Sequence, residues 1–329
     1  MNALAIELQT YFTTFAHAQR DLAANTISAY RDTWRMLIKY LADTTRTRAE
    51  HIDFNNVDAE HVCAFLDYLE NERGNTVTTR NSRLCAIRAV LGHAVANHPE
   101  HAATITRVLA MPPKRHPLPM LEFLTTTEAD ALINAPDRAR WTGRRDHALL
   151  VLAIQTGLRV SELCSLRTCD ARLGPAPNIT CTGKGRRKRT TPLTATTAAV
   201  MSGYLTERAT HPGDALFCGP TGGQLSRDAL EHRLAIHLTT AAANCPSIAE
   251  KHVTLHTLRH TAAMNLLAQG VDAAVIALWL GHQRTQSTDA YLHADMNIKQ
   301  AAIDRTRPPN TKPGRYHPEP DILAWLATL

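Results

Sequence analysis

The sequence predicts a mainly α-helical protein with one small β-hairpin, divided into two domains. Three observations carry this. A chain of 329 residues exceeds what one small core organises. Apolar residues recur at helical spacing along most of its length. A run with four prolines, Met111–Pro119 (MPPKRHPLP), interrupts that pattern once and is incompatible with a helix or a central strand.

The elements follow in order. From Glu7 to Leu41 the apolar positions Leu8, Phe12, Phe15, then Ile27, Tyr30, Trp34, Leu37 and Ile38 describe two amphipathic helices, with Asn25–Thr26 as the N-cap between them. A third helix follows Asp58 (Val62, Phe65, Leu66, Leu69) and stops at Gly74, and a fourth starts near Thr78 and carries Leu84, Ile87, Val90 and Leu91. Residues 1–110 thus form a helical bundle, and 111–120 a linker. The second domain, 121–304, opens at Thr125–Thr127 with a capping box (Thr-Thr-Glu-Ala) and a helix through Leu132. An apolar helix follows Arg145 and ends at Gly157, and another begins near Arg159. Asn178–Thr182 and Lys188–Leu193 flank the turn GKGRR as a β-hairpin. Helices are then predicted over Thr194–Arg208, Ser226–Ala243, Thr257–Gln269 and Asp272–Leu280. Residues 305–329 are a proline-rich tether ending in the apolar segment DILAWLATL.

Composition narrows the function class. Hydrophobic residues make up 44% and charged residues 20%, an ordinary globular balance. Net charge is +6, with a pI near 9.0, which suits a polyanionic partner without requiring one. Residues 1–119 hold 13 Lys/Arg against 12 Asp/Glu, and the remainder 23 against 18, so the excess lies in the second domain. Seven scattered cysteines without a CxxC pair indicate neither a zinc ribbon nor a disulfide framework, and point to a reducing cytoplasm. No signal peptide and no membrane-span-length apolar run is read, so no membrane partner is expected.

Chemistry concentrates at Val253–His293, which holds His256, Arg259, His282 and Tyr291, with a second cationic fragment, TGLRVSEL, around Arg159. Attack on a phosphodiester crowds negative charge onto the equatorial oxygens, and arginine's planar fork suits that charge best. Arg159 and Arg259 are the candidates. Tyr291 would attack with its phenolic oxygen. Its ordinary pKa of about 10 leaves about one molecule in a thousand ionised at neutral pH, so it needs a base or a cationic site. His256, one helical turn before Arg259, is the candidate proton acceptor. His282 would donate to a phosphate oxygen, and Lys184, on the hairpin turn, would protonate the leaving 5′ oxygen. Glu162 would orient Arg159.

Taken singly, each residue has a plainer reading. Arg159 could be a structural ion pair with Glu162, and Lys184 with Arg186, Arg187, Lys188 and Arg189 only a solvated basic turn or a nonspecific phosphate patch. His282 could cap a helix, and Tyr291 could be a core aromatic. His256 and His260 superficially suggest a zinc helix, but no Glu lies between them and Arg259 is adjacent, so no metal site is read. The joint occurrence, in this order, decides for phosphodiester chemistry.

TGLRVSEL, the GKGRRKR hairpin, HTLRH, LGH and the tyrosine nine residues after that histidine resemble the tyrosine recombinase family (phage integrase, Xer, Cre). NTISAYRDTWRMLIKYL and TTRNSRLCAIRAVL resemble its helical core-binding domain, of SAM-like type. The resemblance implies a tyrosine-recombinase catalytic domain in which Arg159, Lys184, His256, Arg259 and His282 activate Tyr291 to form a 3′-phosphotyrosyl link. No cofactor is implied, neither ATP nor Mg²⁺. It further implies a C-shaped clamp on double-stranded DNA carrying specific sites, with the helix bearing Arg80, Asn81, Arg83 and Arg88 in a major groove. Arg31, Arg186, Arg187 and Arg227 are expected at DNA too. A homo-tetramer on two DNA sites, built by cyclic exchange of the C-terminal segment, is the implied assembly, with other recombinases or accessory factors as further candidate partners. Some 38 residues follow Tyr291, which favours a mobile-element integrase or transposase over a minimal Xer enzyme. The rival readings are a type IB topoisomerase-like nicking enzyme and a DNA-binding accessory factor without catalysis.

Overall fold

The computed structural model describes residues 2–115, 121–183 and 187–281. Two compact units divide the chain, Met1–Leu118 and Pro119–Leu329. No helix among the described residues is long and apolar enough to cross a membrane.

The N-terminal unit is helical. Asn2 caps α1 (Ala3–Thr10) through Ala5 N, and donates from Nδ2 to Ile52 O at 2.6 Å. A π-helical stretch, Tyr11–Gln19, continues it. The N-cap of α2 (Ala24–Thr45) is Ala23, not Asn25–Thr26. Asp21, at φ 44°, reverses the chain earlier, and the Thr26 N to Ala23 O bond (2.8 Å) already closes the first turn. Asp58 caps α3 (Ala59–Asn71), and Thr76 caps α4 (Val77–Ala94). A fifth helix, α5 (Ala102–Ala110), was not anticipated. Trp34, Leu37, Phe65, Leu66, Leu84, Ile87 and Val90 bury together, each worth about 1.5–3 kcal/mol or more in removed apolar surface. Trp34 satisfies its indole N–H on Ala86 O.

In the second unit, α6 (Thr126–Asn134) starts with the predicted capping box. Glu128 also binds Lys251 Nζ at 2.6 Å and Ser247 Oγ at 2.8 Å, tying α6 to the approach to α11. The apolar helix α7 (Trp141–Thr156) begins a turn before Arg145. Then come α8 (Val160–Ser165), the strands β1 (Ala171–Arg172), β2 (Asn178–Thr182) and β3 (Lys188–Pro192), and α9 (Ala195–Arg208). The hairpin is therefore two strands of a three-stranded antiparallel sheet in the order β1-β2-β3, with Cys181 opposite Arg189. Helices α10 (Arg227–Asn244), α11 (Leu255–Ala268) and α12 (Ala273–Leu280) complete the described part. Thr254 caps α11 earlier than the predicted start at Thr257, which puts His256 in the first turn.

Candidate active site

Two helix C-termini build the centre of the site. Gly157 ends α7 at φ 63° and Gly281 ends α12 at φ 66°, both left-handed caps that glycine adopts without a Cβ penalty. At Gly157 a Cβ would sit 2.6 Å from Leu280 Cδ2 and 3.1 Å from Ala262 Cβ, so the two helix ends meet only because that side chain is missing. The last carbonyls of a helix lack intrahelical partners and carry the negative end of its dipole. Arginine takes them here. Arg259, 2% exposed, donates from Nη1 to Gly157 O at 2.6 Å and from Nη2 to Leu280 O at 2.7 Å. Arg159, the N-cap residue of α8, donates from Nη2 to Gly281 O at 3.1 Å. Its side chain stays one-third exposed.

Arg159, Arg259 and His256 line one cavity of about 600 Å³, with Arg227 and Glu231 at its wall. Desolvation by the surrounding protein is the first cause that pushes His256, whose side chain is exposed at the cavity, below the usual histidine range, and the Arg259 and Arg159 guanidinium groups add to it. At neutral pH the imidazole is therefore uncharged and able to accept a proton. His260 packs edge-on at 4.3 Å and is pushed down to about 4 by burial, then by His256 and Arg259. Among the described residues no group of three His, Cys, Asp or Glu is placed to hold a metal ion. Beside the ion-paired Arg227, the cavity presents the Arg159 and Arg259 guanidinium groups and a neutral base, a set suited to an anionic ligand with a proton-losing group beside it.

Glu162 is buried and receives four bonds. Arg159 gives its backbone N–H (2.8 Å) and Nη1 (3.0 Å), and Arg189 gives Nη1 (2.7 Å) and Nη2 (2.8 Å). Burial alone would raise this carboxyl's pKa, but the Arg189 and Arg159 contacts hold it below the usual carboxylate range. The sequence places Arg189 on the predicted strand Lys188–Leu193 and assigns it no role at the site. On β3 it shares its face with buried Thr191 and turns inward, while Arg187 and Lys188 stay exposed. Position along the strand was the available signal, since period-2 alternation puts 189 and 191 on one face.

Lys184, Arg186, His282 and Tyr291 lie outside the described residues, as do 305–329. The sequence places Lys184 directly after Gly183 and His282 directly after Gly281. In the N-terminal unit the α4 residues are engaged within their own unit. Arg80 is buried beside Glu70 at 3.6 Å, Asn81 exchanges two bonds with the Lys114 backbone, Arg83 donates to Thr33 Oγ1 at 2.9 Å, and Arg88 reaches Met111 O at 3.4 Å. Arg31 is exposed and paired with Asp32, and Arg227 with Glu231 at 2.7 Å.

The phage integrase family matches residues 122–297, and the phage integrase SAM-like domain matches residues 7–100. A Sinorhizobium fredii protein named integrase/recombinase y4rC is 43% identical over 99% of this chain and 98% of its own length. Tyrosine recombinase XerC of Chlamydia muridarum is 32% identical over 70% of this chain and 72% of its own. Among solved structures, the Tn1549 transposon integrase in complex with transposon right-end DNA aligns with a TM-score of 0.70 at 15% identity, covering 91% of this chain and 99% of that one. The XerH site-specific recombinase bound to a palindromic difH substrate, a post-cleavage complex, aligns with a TM-score of 0.69 at 19% identity, covering 87% and 81%. The two structures share the fold, the two sequences share the family, and the chain belongs to the phage integrase family of tyrosine recombinases.

Proposed function

We propose that this chain is a site-specific DNA recombinase of the integrase type, which cuts and rejoins double-stranded DNA through a covalent 3′-phosphotyrosyl intermediate on Tyr291. The observation that supports it most is the pair of arginines, Arg159 and Arg259, anchored on two helix C-termini and facing one cavity with a neutral His256. In this reading the scissile phosphate sits between the guanidinium groups. His256 takes the phenolic proton as the Tyr291 oxygen bonds to phosphorus. The 5′ oxygen leaves with a proton from Lys184, and His282 donates to a non-bridging oxygen. The phosphodiester is exchanged for a phosphotyrosyl ester, so a 5′-OH from a second strand reverses the step without ATP. The roles of Lys184, His282 and Tyr291 rest on family membership and on their positions in the motifs.

Two-site strand exchange further implies a homo-tetramer on DNA, with the segment after Arg305 passed between protomers. The N-terminal unit is the proposed major-groove reader through α4. For Arg80, Asn81, Arg83 and Arg88 this requires exchanging present contacts for DNA, whereas Arg31 is already exposed. Plasmids carrying paired copies of the DNA that flanks the gene test the reading. Recombinant circles are expected. Relaxation of single-site and paired-site plasmids alike, without recombinant product, would favour a topoisomerase-like nicking enzyme.

A further inference from the structure

Arg189 occupies the point where three parts of the site meet. Its fork holds both oxygens of Glu162, the carboxylate that also holds Arg159. Its side chain lies against Gly281, where a Cβ would come 2.9 Å from Nη1 and 3.2 Å from Cδ. It also lies near Gly183, where a Cβ would come 3.1 Å from Glu162 Oε1 and 3.5 Å from Arg189 Nη1. Gly183 precedes Lys184 and Gly281 precedes His282. The segments leading to both of those residues therefore converge on one buried ion cluster.

The charge count of that cluster matters as much as its packing. Arg159, Glu162 and Arg189 together carry +1. Without Arg189, Glu162 would face Arg159 alone, and the pair would be neutral. A buried carboxylate left with one cationic partner draws that partner in, because an unpaired buried charge is costly. Arg159, already bonded to Glu162 at 3.0 Å, would then be its sole cationic partner, and its charge would be offset there instead of offered to the cavity.

We infer that Arg189 is a positioning residue for the cleavage step, neutralising Glu162 so that the Arg159 charge remains available to the phosphate. This rests on the recombinase reading above. Arg189 acts through Glu162, and its guanidinium is needed because a bidentate fork matches both carboxylate oxygens while a lysine offers a single charged centre.

The test uses full-length protein and a nicked suicide duplex built from the DNA flanking the gene, with covalent adduct formation and duplex binding measured separately. Arg189→Met should slow adduct formation by about 10- to 100-fold, less than the roughly 100- to 1000-fold lost with a transition-state donor itself, while duplex binding changes by less than about threefold. Arg189→Lys should lie between that variant and the wild type. The deciding comparison is Arg189→Met with Glu162→Gln in the same chain. Removing the carboxylate restores the +1 of Arg159, so the double variant should cleave about tenfold faster than Arg189→Met alone, by the same range. A purely architectural role predicts no such rescue. Should Arg189→Met fail to fold, Arg189→Gln, which also removes the charge, makes the same comparison with and without Glu162→Gln. A double variant no faster than the single one, or wild-type cleavage by Arg189→Met, overturns the inference while leaving the recombinase reading intact. Absence of any Tyr291-dependent adduct in the wild type refutes that reading, and the inference with it.

Discussion

Replacing Gly157 by alanine tests the coupling between fold and site. The residue sits at φ 63°, where a Cβ meets the following carbonyl at a cost of about 1–2 kcal/mol. The added methyl would also stand 2.6 Å from Leu280 Cδ2 and 3.1 Å from Ala262 Cβ. Overpacking of this kind costs about 1–3 kcal/mol. The combined loss is about 2–5 kcal/mol, a fall in Tm on the order of 10 °C for a unit of this size. Leu280 and Gly157 supply the two carbonyls that hold Arg259, so the same displacement should slow adduct formation, even at temperatures where the variant is folded. Thermal unfolding of the full chain and adduct formation on a suicide duplex are the assays. Gly203→Ala is the matched control. It lies at an exposed position of helix α9 with open space around its Cβ position, and should stabilise by about 0.5–1 kcal/mol. A Gly157→Ala protein with unchanged Tm and unchanged cleavage would refute the reasoning.

Three further outcomes are expected. With His256 as proton acceptor, activity is present above its pKa and lost as pH falls through it. Because that pKa is lowered, the acid limb of the pH–rate profile should fall below about 6.5, and His256→Ala should abolish the limb together with most of the rate. Glu128 is held down to about 2 against an ordinary 4.5, where burial opposes the shift but the Lys251, Thr125 and Ser247 bonds outweigh it. Its stabilisation, about 3 kcal/mol, is fully present above pH 4.5 and should be lost as pH falls towards 2, so Glu128→Gln should flatten acid unfolding in that window. Deleting the first 115 residues should abolish tight binding to the mapped DNA site. Full-affinity binding by the remaining chain in a gel-shift assay would contradict the proposed division of labour.

Much of the architecture was legible because local signals agreed with tertiary demands. Asp58, Thr125, Thr194, Ser226 and Asp272 cap helices from side chains that the sequence displays. Gly157 and the β2–β3 pairing were equally visible. Ala23 was not, because the chain reversal depends on the backbone of Asp21 rather than on a capping side chain. Strand β1 has only two residues, too few for alternation to register. The residues at the cavity were readable from their order along the chain. What held them was hidden. The carbonyls of Gly157, Leu280 and Gly281 are backbone groups that carry no residue-type signal, and Arg189 looked like its exposed neighbours Arg187 and Lys188 until the strand gave it an inward face. On α4 the sequence displayed arginines suited to DNA, while their contacts with Glu70, Thr33 and Met111 depend on packing distant in sequence.

The most direct measurement is to denature the reaction of wild-type protein with a suicide duplex, digest it, and locate the residue bound to DNA by mass spectrometry. A 3′-phosphate esterified to Tyr291, absent from Tyr291→Phe although that variant still binds the duplex, is the predicted result. An adduct on any other residue, or an adduct at wild-type level in Tyr291→Phe, would contradict it.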